Sequence, residues 1–257
     1  MGRDRQSIFF VLLVSTMVFL VSGCAGIMTG KAREEDPRAA RLAQEVRTLN
    51  QGLETVKGTG IIILVNGSTR QRFKIAWAAL VPDKIRLTIL ETGIPVETIV
   101  ADGEKVTFIS HTGRHQRHTV KAPNPSLKSM VDLPIHIREI ISLLSGKLPL
   151  EPFDQERLST TIKPFAAKLL LSRKWRGIIG RVQFDTNDQV VEYEVVGRDG
   201  NLVYQVNRSE FKSFGSYLVP GTTLVKDPSG RTMTLQINNF YPDLPVKASV
   251  FALTETE

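Results

Sequence analysis

The chain has a single cysteine in 257 residues, so it can form neither an internal disulfide nor a cysteine-rich metal site. No apolar stretch reaches the ~20 residues that a membrane-spanning helix needs. No repeat, low-complexity tract or interdomain linker interrupts the sequence. Lys57-Gly58-Thr59-Gly60 lacks the Gly-Lys-Ser/Thr ending of a phosphate loop and runs into a strand pattern. No Gly-x-Ser-x-Gly elbow occurs, and the carboxylates fall in turns or on polar faces without pairing for acid–base work. These absences argue against an enzyme, and no cofactor or metal is expected. His111, His115 and His118 are the nearest approach to a metal cluster. A strand from Arg114 to Val120 would turn His115 and His118 to opposite faces, and Arg114 and Arg117 oppose a cation. A basic surface hairpin is the plainer reading.

Positive charge is in excess: 33 Lys and Arg against 26 Asp and Glu give +7. Such an excess suits an anionic partner, whether a lipid head group, an acidic protein surface or nucleic acid, and it also serves solubility. The N-terminus narrows that choice. Arg3 and Arg5 precede an apolar run from Ile8 to Val21, then small Ser22 and Gly23, then Cys24. This is the order of an export signal with its cleavage point, so nucleic acid is not expected as a partner. One alternative is an ordinary secretory signal with an incidental cysteine. The run Leu20-Val21-Ser22-Gly23-Cys24 resembles the lipobox of bacterial lipoproteins. That resemblance implies cleavage after residue 23 and acyl chains, palmitate among them, on Cys24. One chain holds a protein only marginally at a bilayer, whereas two or three anchor it firmly. Ala25 in place of aspartate implies sorting to the outer membrane. Residues 24–35 then read as the lipidated cysteine and a flexible tether, and 36–257 as a single domain.

Within that domain the hydrophobic period changes twice. Asp36-Pro37 opens a helix with an apolar stripe at Leu42, Val46, Leu49 and Leu53, and Gly52 near its end. From Thr59 to Val120 the pattern alternates, with turns at Asn66-Gly67, Pro82-Asp83, Asp102-Gly103 and Thr112-Gly113. This predicts about six antiparallel strands. Phe73, Ile75 and Trp77 face one side of the second, and Ile85, Leu87 and Ile89 one side of the third. Between the strand blocks, Ser126–Val131 predicts a helical turn. Ile137, Ile140, Ile141 and Leu144 stand at helical spacing, with Asp132 as N-cap and Gly146 as stop. Strand patterns resume from Ala166 to Ile237. Sheet, helices, then sheet again is α+β. We expect a curved antiparallel sheet, an incomplete half-open β-barrel of about eleven strands, with helices on its concave face as a lid. An apolar cavity fits between lid and sheet. Trp77 and Trp175 read as core residues, a cavity wall being the alternative use.

This pattern resembles the LolA/LolB superfamily of lipoprotein carriers, and within it the LolB-like outer-membrane receptors. The lipobox, the meander from Thr59 to Val120, Leu133-Pro134-Ile135 before the lid helix, and Arg231 to Tyr241 carry the resemblance. It implies a monomeric, lipid-anchored receptor at the outer membrane, facing the periplasm. Such a receptor accepts acylated lipoproteins from a LolA-like periplasmic carrier and delivers them to the membrane. Phe73, Ile75, Trp77, Ile85, Leu87, Ile89, Ile137, Ile140, Ile141 and Leu144 would line the cavity. The family's membrane-insertion loop falls on Gly93, Ile94, Pro95 and Val96, with Ile94 in place of a leucine. An isoleucine between Gly93 and Pro95 suits an exposed turn better than a central strand, although it could fold back onto the sheet. Carriage of free lipid or glycolipid on the same fold, and an assembly or scaffold lipoprotein with a filled core, are the alternatives.

Overall fold

The computed structural model describes residues 36–160 and 163–253. The signal segment, Cys24 and the tether lie outside the described residues. Helix α1 (Pro37–Thr48) begins as its sequence predicts: the Asp36 carboxylate accepts the amides of Arg38 at 2.9 Å and Ala39 at 3.3 Å. It buries Ala39, Leu42, Ala43 and Val46. It stops earlier than its apolar stripe, because the backbone turns left-handed at Asn50. Leu53 is therefore buried from the following segment rather than from the helix.

Thirteen strands form one antiparallel sheet. The first six are β1 (Thr55–Asn66), β2 (Thr69–Leu80), β3 (Lys84–Glu91), β4 (Ile94–Asp102), β5 (Val106–Ser110) and β6 (His118–Val120). The second block is β7 (Gln155–Ser159), β8 (Ala167–Arg173), β9 (Gly177–Phe184), β10 (Val190–Val196), β11 (Leu202–Phe214), β12 (Tyr217–Lys226) and β13 (Thr232–Pro242). Their spatial order is β6-β5-β4-β3-β2-β1-β13-β12-β11-β10-β9-β8-β7, so the sheet is open, with β6 and β7 at its edges. The two meanders meet where β1 pairs with β13, from Val56 opposite Pro242 to Val65 opposite Thr232. This is the open, curved antiparallel barrel with helices that the sequence predicts.

Two strands depart from expectation. The sheet has thirteen strands in place of about eleven, and β7 is one that the sequence pattern does not predict; its Gln-Glu-Arg-Leu-Ser sequence has no apolar alternation, as befits a short edge strand. Strand β6 holds only three residues, so 111–117 is a connection rather than a strand. Short helices α2 (Lys128–Val131) and α3 (Ile137–Leu144) join the two meanders. Asp132 does not cap α3 but ends α2 in a left-handed conformation. The cap is His136, whose backbone N–H donates to the Glu139 carboxylate at 2.6 Å in a capping box.

The inner faces of the strands and the apolar stripes of α1 and α3 share one hydrophobic core. On β1, Gly58 and Gly60 stand beside the Trp77 indole, where a Cβ at either position would collide with the ring or with the Gln236 carbonyl. The Lys57–Gly60 segment is thus a bed for an aromatic side chain.

Candidate functional site: an apolar cavity beneath the α3 helix

The core is incomplete on one side. A cavity of about 270 Å³ lies between β1–β4, β13 and the two short helices. Its wall comes from alternate residues of neighbouring strands: Ile62 and Leu64, Phe73 and Ile75, Leu87 and Ile89, Val96 and Ile99. Met233 and Leu235 close the β13 side. Leu127, Met130, Val131, Ile140 and Leu144 roof it. These side chains are almost wholly aliphatic, which suits hydrocarbon and offers nothing to a charged ligand.

Of the residues expected at a cavity, Phe73, Ile75, Leu87, Ile89, Ile140 and Leu144 border this one. Ile85, Ile137 and Ile141 are fully buried in the surrounding core, with Trp77 only 4% exposed. Val96, placed in the exposed loop by the sequence, instead turns inward and borders the cavity. The roof from α2 and the β13 residues escaped the sequence reading. Their apolar side chains sit in a four-residue helix and in the last strand, far from the lid stripe in sequence.

Polar groups gather at the mouth. Gln71, Glu97, Arg114 and His115 complete the lining, the last two from the 111–117 connection. His115 Nε2 lies 2.9 Å from the Glu97 carboxylate, and its Nδ1 lies 2.8 Å from the Gln116 carbonyl. Arg114 lies 3.6 Å from Glu91. The Gln116 carbonyl and then Glu97 raise the His115 pKa above its ordinary value. The imidazoles of His115 and His118 are not on opposite faces; they meet edge to face at 5.4 Å, and His118 stacks on Phe108. His111 Nε2 instead contacts Thr98 Oγ1 at 2.9 Å. Among the described residues no group of His, Cys, Asp and Glu is arranged to hold a metal.

The roof helix is fastened to the opposite side of the sheet. At its first turn, Glu139 accepts a hydrogen bond of 2.6 Å from the Tyr204 hydroxyl on β11. At its other end, Arg208 of β11 donates to the Gly146 carbonyl at 2.9 Å. Arg208 is 4% exposed, and burial alone lowers its pKa to about 10. A cation beside the C-terminal carbonyls of a helix is favourably placed. Asn50 adds bonds to the Ser145 and Leu218 carbonyls. A second cleft, about 550 Å³, lies behind α3 and is lined by His136, Arg138, Glu139, Glu151, Arg176 and Tyr204, among others. Its charged walls do not suit hydrocarbon.

The β3–β4 turn stands near the cavity mouth. Thr92 and Gly93 take positive φ, as a two-residue hairpin turn requires. Ile94 is 66% exposed, and Pro95 follows at a register shift in the β3–β4 ladder. Trp175 also departs from the core reading: it is 95% exposed in the β8–β9 turn.

The open, curved antiparallel sheet with its few helices is a LolA-like fold. Three solved structures share it. A LolA superfamily protein from Nitrosomonas europaea matches with TM-score 0.53 at 12% identity, over 84% of this chain and 97% of its own. A DUF1329 family protein from Desulfovibrio piger matches with TM-score 0.58 at 8% identity, over 83% and 93%. A domain from Vibrio parahaemolyticus described as an outer membrane lipoprotein-sorting protein matches with TM-score 0.50 at 13% identity, over 84% and 96%. At these identities the likeness is one of fold. No protein-family model and no curated protein matches the chain.

Proposed function

We propose that this chain is a non-enzymatic, lipid-anchored carrier that shelters acyl chains beneath α3 and passes them to the outer membrane from its periplasmic side. The single observation that carries this reading is the aliphatic cavity at the mouth end of β1–β4. The LolA-like fold supports it. In this reading Cys24 bears the anchor, 36–257 is one carrier domain, and acylated lipoproteins arrive from a LolA-like partner. The LolB-like assignment belongs to the same proposal.

Energetics set what the cavity must do. Exposing a sixteen-carbon chain to water costs on the order of 10 kcal/mol at ~0.8 kcal/mol per CH₂. The cavity has to offset most of this and still bind less tightly than a bilayer. At about 270 Å³ it lies just below the ~300–1,000 Å³ range of ordinary ligand pockets. It therefore takes part of one chain as it stands, and a whole chain requires the roof to shift. This small size favours a second reading, a carrier of single-chain lipid, over simultaneous capture of every chain of a lipoprotein.

A photo-crosslinker at Ile140 tests the proposal. Adducts with acylated lipoprotein support the first reading, and adducts with lipid alone support the second. A folded protein that gives neither sinks both. Ile94→Glu is expected to leave cargo binding intact and block delivery to membranes; unchanged delivery removes the loop from the mechanism.

A further inference from the structure

The antiparallel register sorts the hairpin connections into two ends. Connections 67–68, 92–93, 111–117, 174–176, 197–201 and 227–231 share one end. They carry Arg114, Arg117, Lys174, Arg176, Arg198 and Arg231 against only Asp199 and Asp227. Glu151, from the preceding loop, pairs with Arg173 and Arg176, and Glu91 pairs with Arg114. Arg70, Arg72 and Lys226 on the flanking strand ends keep the balance positive. Connections 81–83, 103–105 and 185–189 at the other end carry Lys105 against Asp83, Glu104, Asp185 and Asp188, and the stretch before β8 adds Lys163. Asp188 pairs there with Arg38 and Arg41 and Asp83 with Arg138, while Lys84 and Asp102 offset each other on the strand ends, so that end is near charge balance rather than basic.

The basic end also presents two apolar tips. Ile94 is one. Trp175 is the other, in an Arg173-Lys174-Trp175-Arg176 tip whose left-handed backbone (φ 68°) is costly for a bulky residue. The tip is braced: the Lys174 amide donates to Asp154 at 2.9 Å, and the Arg176 amide donates to the Arg173 carbonyl at 3.1 Å. The Lys174 amino group lies 5.6 Å from the indole centroid. The fold gains no burial from this tryptophan. Indole is the side chain best suited to the boundary between head groups and hydrocarbon, and neighbouring lysine and arginine draw it to anionic lipid. The cavity mouth, with Arg114 and His115, opens at this same end.

We infer that this end of the sheet docks on an anionic phospholipid bilayer, with the Trp175 hairpin as a second contact, separated from the Ile94 turn by six strands in the sheet order, so that the cavity faces the membrane surface. The inference rests on the reading above only in placing the chain at a bilayer; it holds whichever cargo the cavity takes.

The chain has two tryptophans, Trp77 buried and Trp175 exposed, so the difference between the emission of the full-length protein and of its Trp175→Phe variant isolates Trp175. The protein is inserted by its own anchor into vesicles of phosphatidylcholine, or of equal parts phosphatidylcholine and phosphatidylglycerol, with and without brominated acyl chains. In the anionic vesicles we expect a blue shift and quenching by bromine, both lost in Trp175→Phe and weakened by high salt. Trp77 emission, unchanged in that variant, reports an intact fold. Emission that stays red and unquenched in anionic vesicles overturns the inference, as does quenching that survives Trp175→Phe. Equal quenching in neutral vesicles overturns the anionic surface as the partner. A concentration-dependent blue shift without vesicles assigns the tip to a second copy of the chain. Crosslinking at Ile140 reads the cavity alone, so failure of the docking and failure of the carrier reading give different results.

Discussion

The two halves of the sheet treat the same roof helix differently. On the β9–β11 side the interior is filled: Phe184, Tyr193 and Tyr204 are among the largest fully buried side chains. Glu139 and Gly146 of the roof segment are tied there to Tyr204 and Arg208. On the β1–β4 side the roof meets aliphatic residues across an unfilled space, and the polar contact of α3 there is a part-exposed pair, Arg138 with Asp83 at 3.6 Å. The helix is thus held by buried hydrogen bonds along one edge, and along the other by apolar packing and one solvent-screened ion pair. Such an arrangement opens by loosening apolar contacts on the cavity side, which hydrocarbon but not water replaces at small cost, while the buried hydrogen bonds hold.

The largest expected contrast comes from truncating one aromatic on each side. Tyr204→Ala removes a fully buried ring and strips Glu139 Oε1 of its hydroxyl donor, leaving Oε2 with His136, and should cost about 3–5 kcal/mol in denaturant unfolding. Phe73→Ala beside the cavity should cost roughly half as much, because space already exists there. Equal losses would show the two halves to be packed alike. Enlarging side chains should reverse the order. Ile89→Phe can grow into the cavity and should cost less than about 1 kcal/mol while abolishing Ile140 crosslinks to acyl chains. Val182→Phe, in the filled half, should cost about 1–3 kcal/mol. Crosslinking that survives Ile89→Phe would place the acyl chain elsewhere.

The smallest effect concerns the mouth. The folded pKa of His115 is raised, so its contribution is fully present below the unfolded value near 6.5 and fades as pH rises through the folded value. Hydrogen exchange of the 111–117 amides, corrected for intrinsic rate, should lose protection by up to about fivefold from pH 6 to pH 8. Glu97→Gln should reduce that dependence; an unchanged profile would remove the pair from control of the mouth.

The sequence announces the fold where turn chemistry and alternation agree. Asn66-Gly67 with Phe73, Ile75 and Trp77 predicts the β1–β2 hairpin and its inner face, both of which the structure has. It falls silent where strands are polar. Strand β7 lies at an edge, and β11 runs to Phe214 through Asn207-Arg208-Ser209-Glu210, a polar stretch that hides the buried Arg208. Trp175 misleads for the opposite reason: aromatics are usually inside, and only the Lys-Trp-Arg flanks hint at an exposed tip. The wall of the cavity was legible as period-two apolar residues on β2 and β3. Whether space would remain beneath them depends on side-chain volumes contributed by β13 and α2, which periodicity does not encode.

The seam between β1 and β13 has a consequence for biogenesis. Val56 and Pro242 are partners at the middle of the sheet, so neither meander can finish its central ladder until nearly all of the polypeptide has emerged. Joining residues so distant in sequence is slow. In the carrier reading proposed above, where the chain threads unfolded through an export channel, that delay is a gain, since the last strand to appear is the one that locks the first.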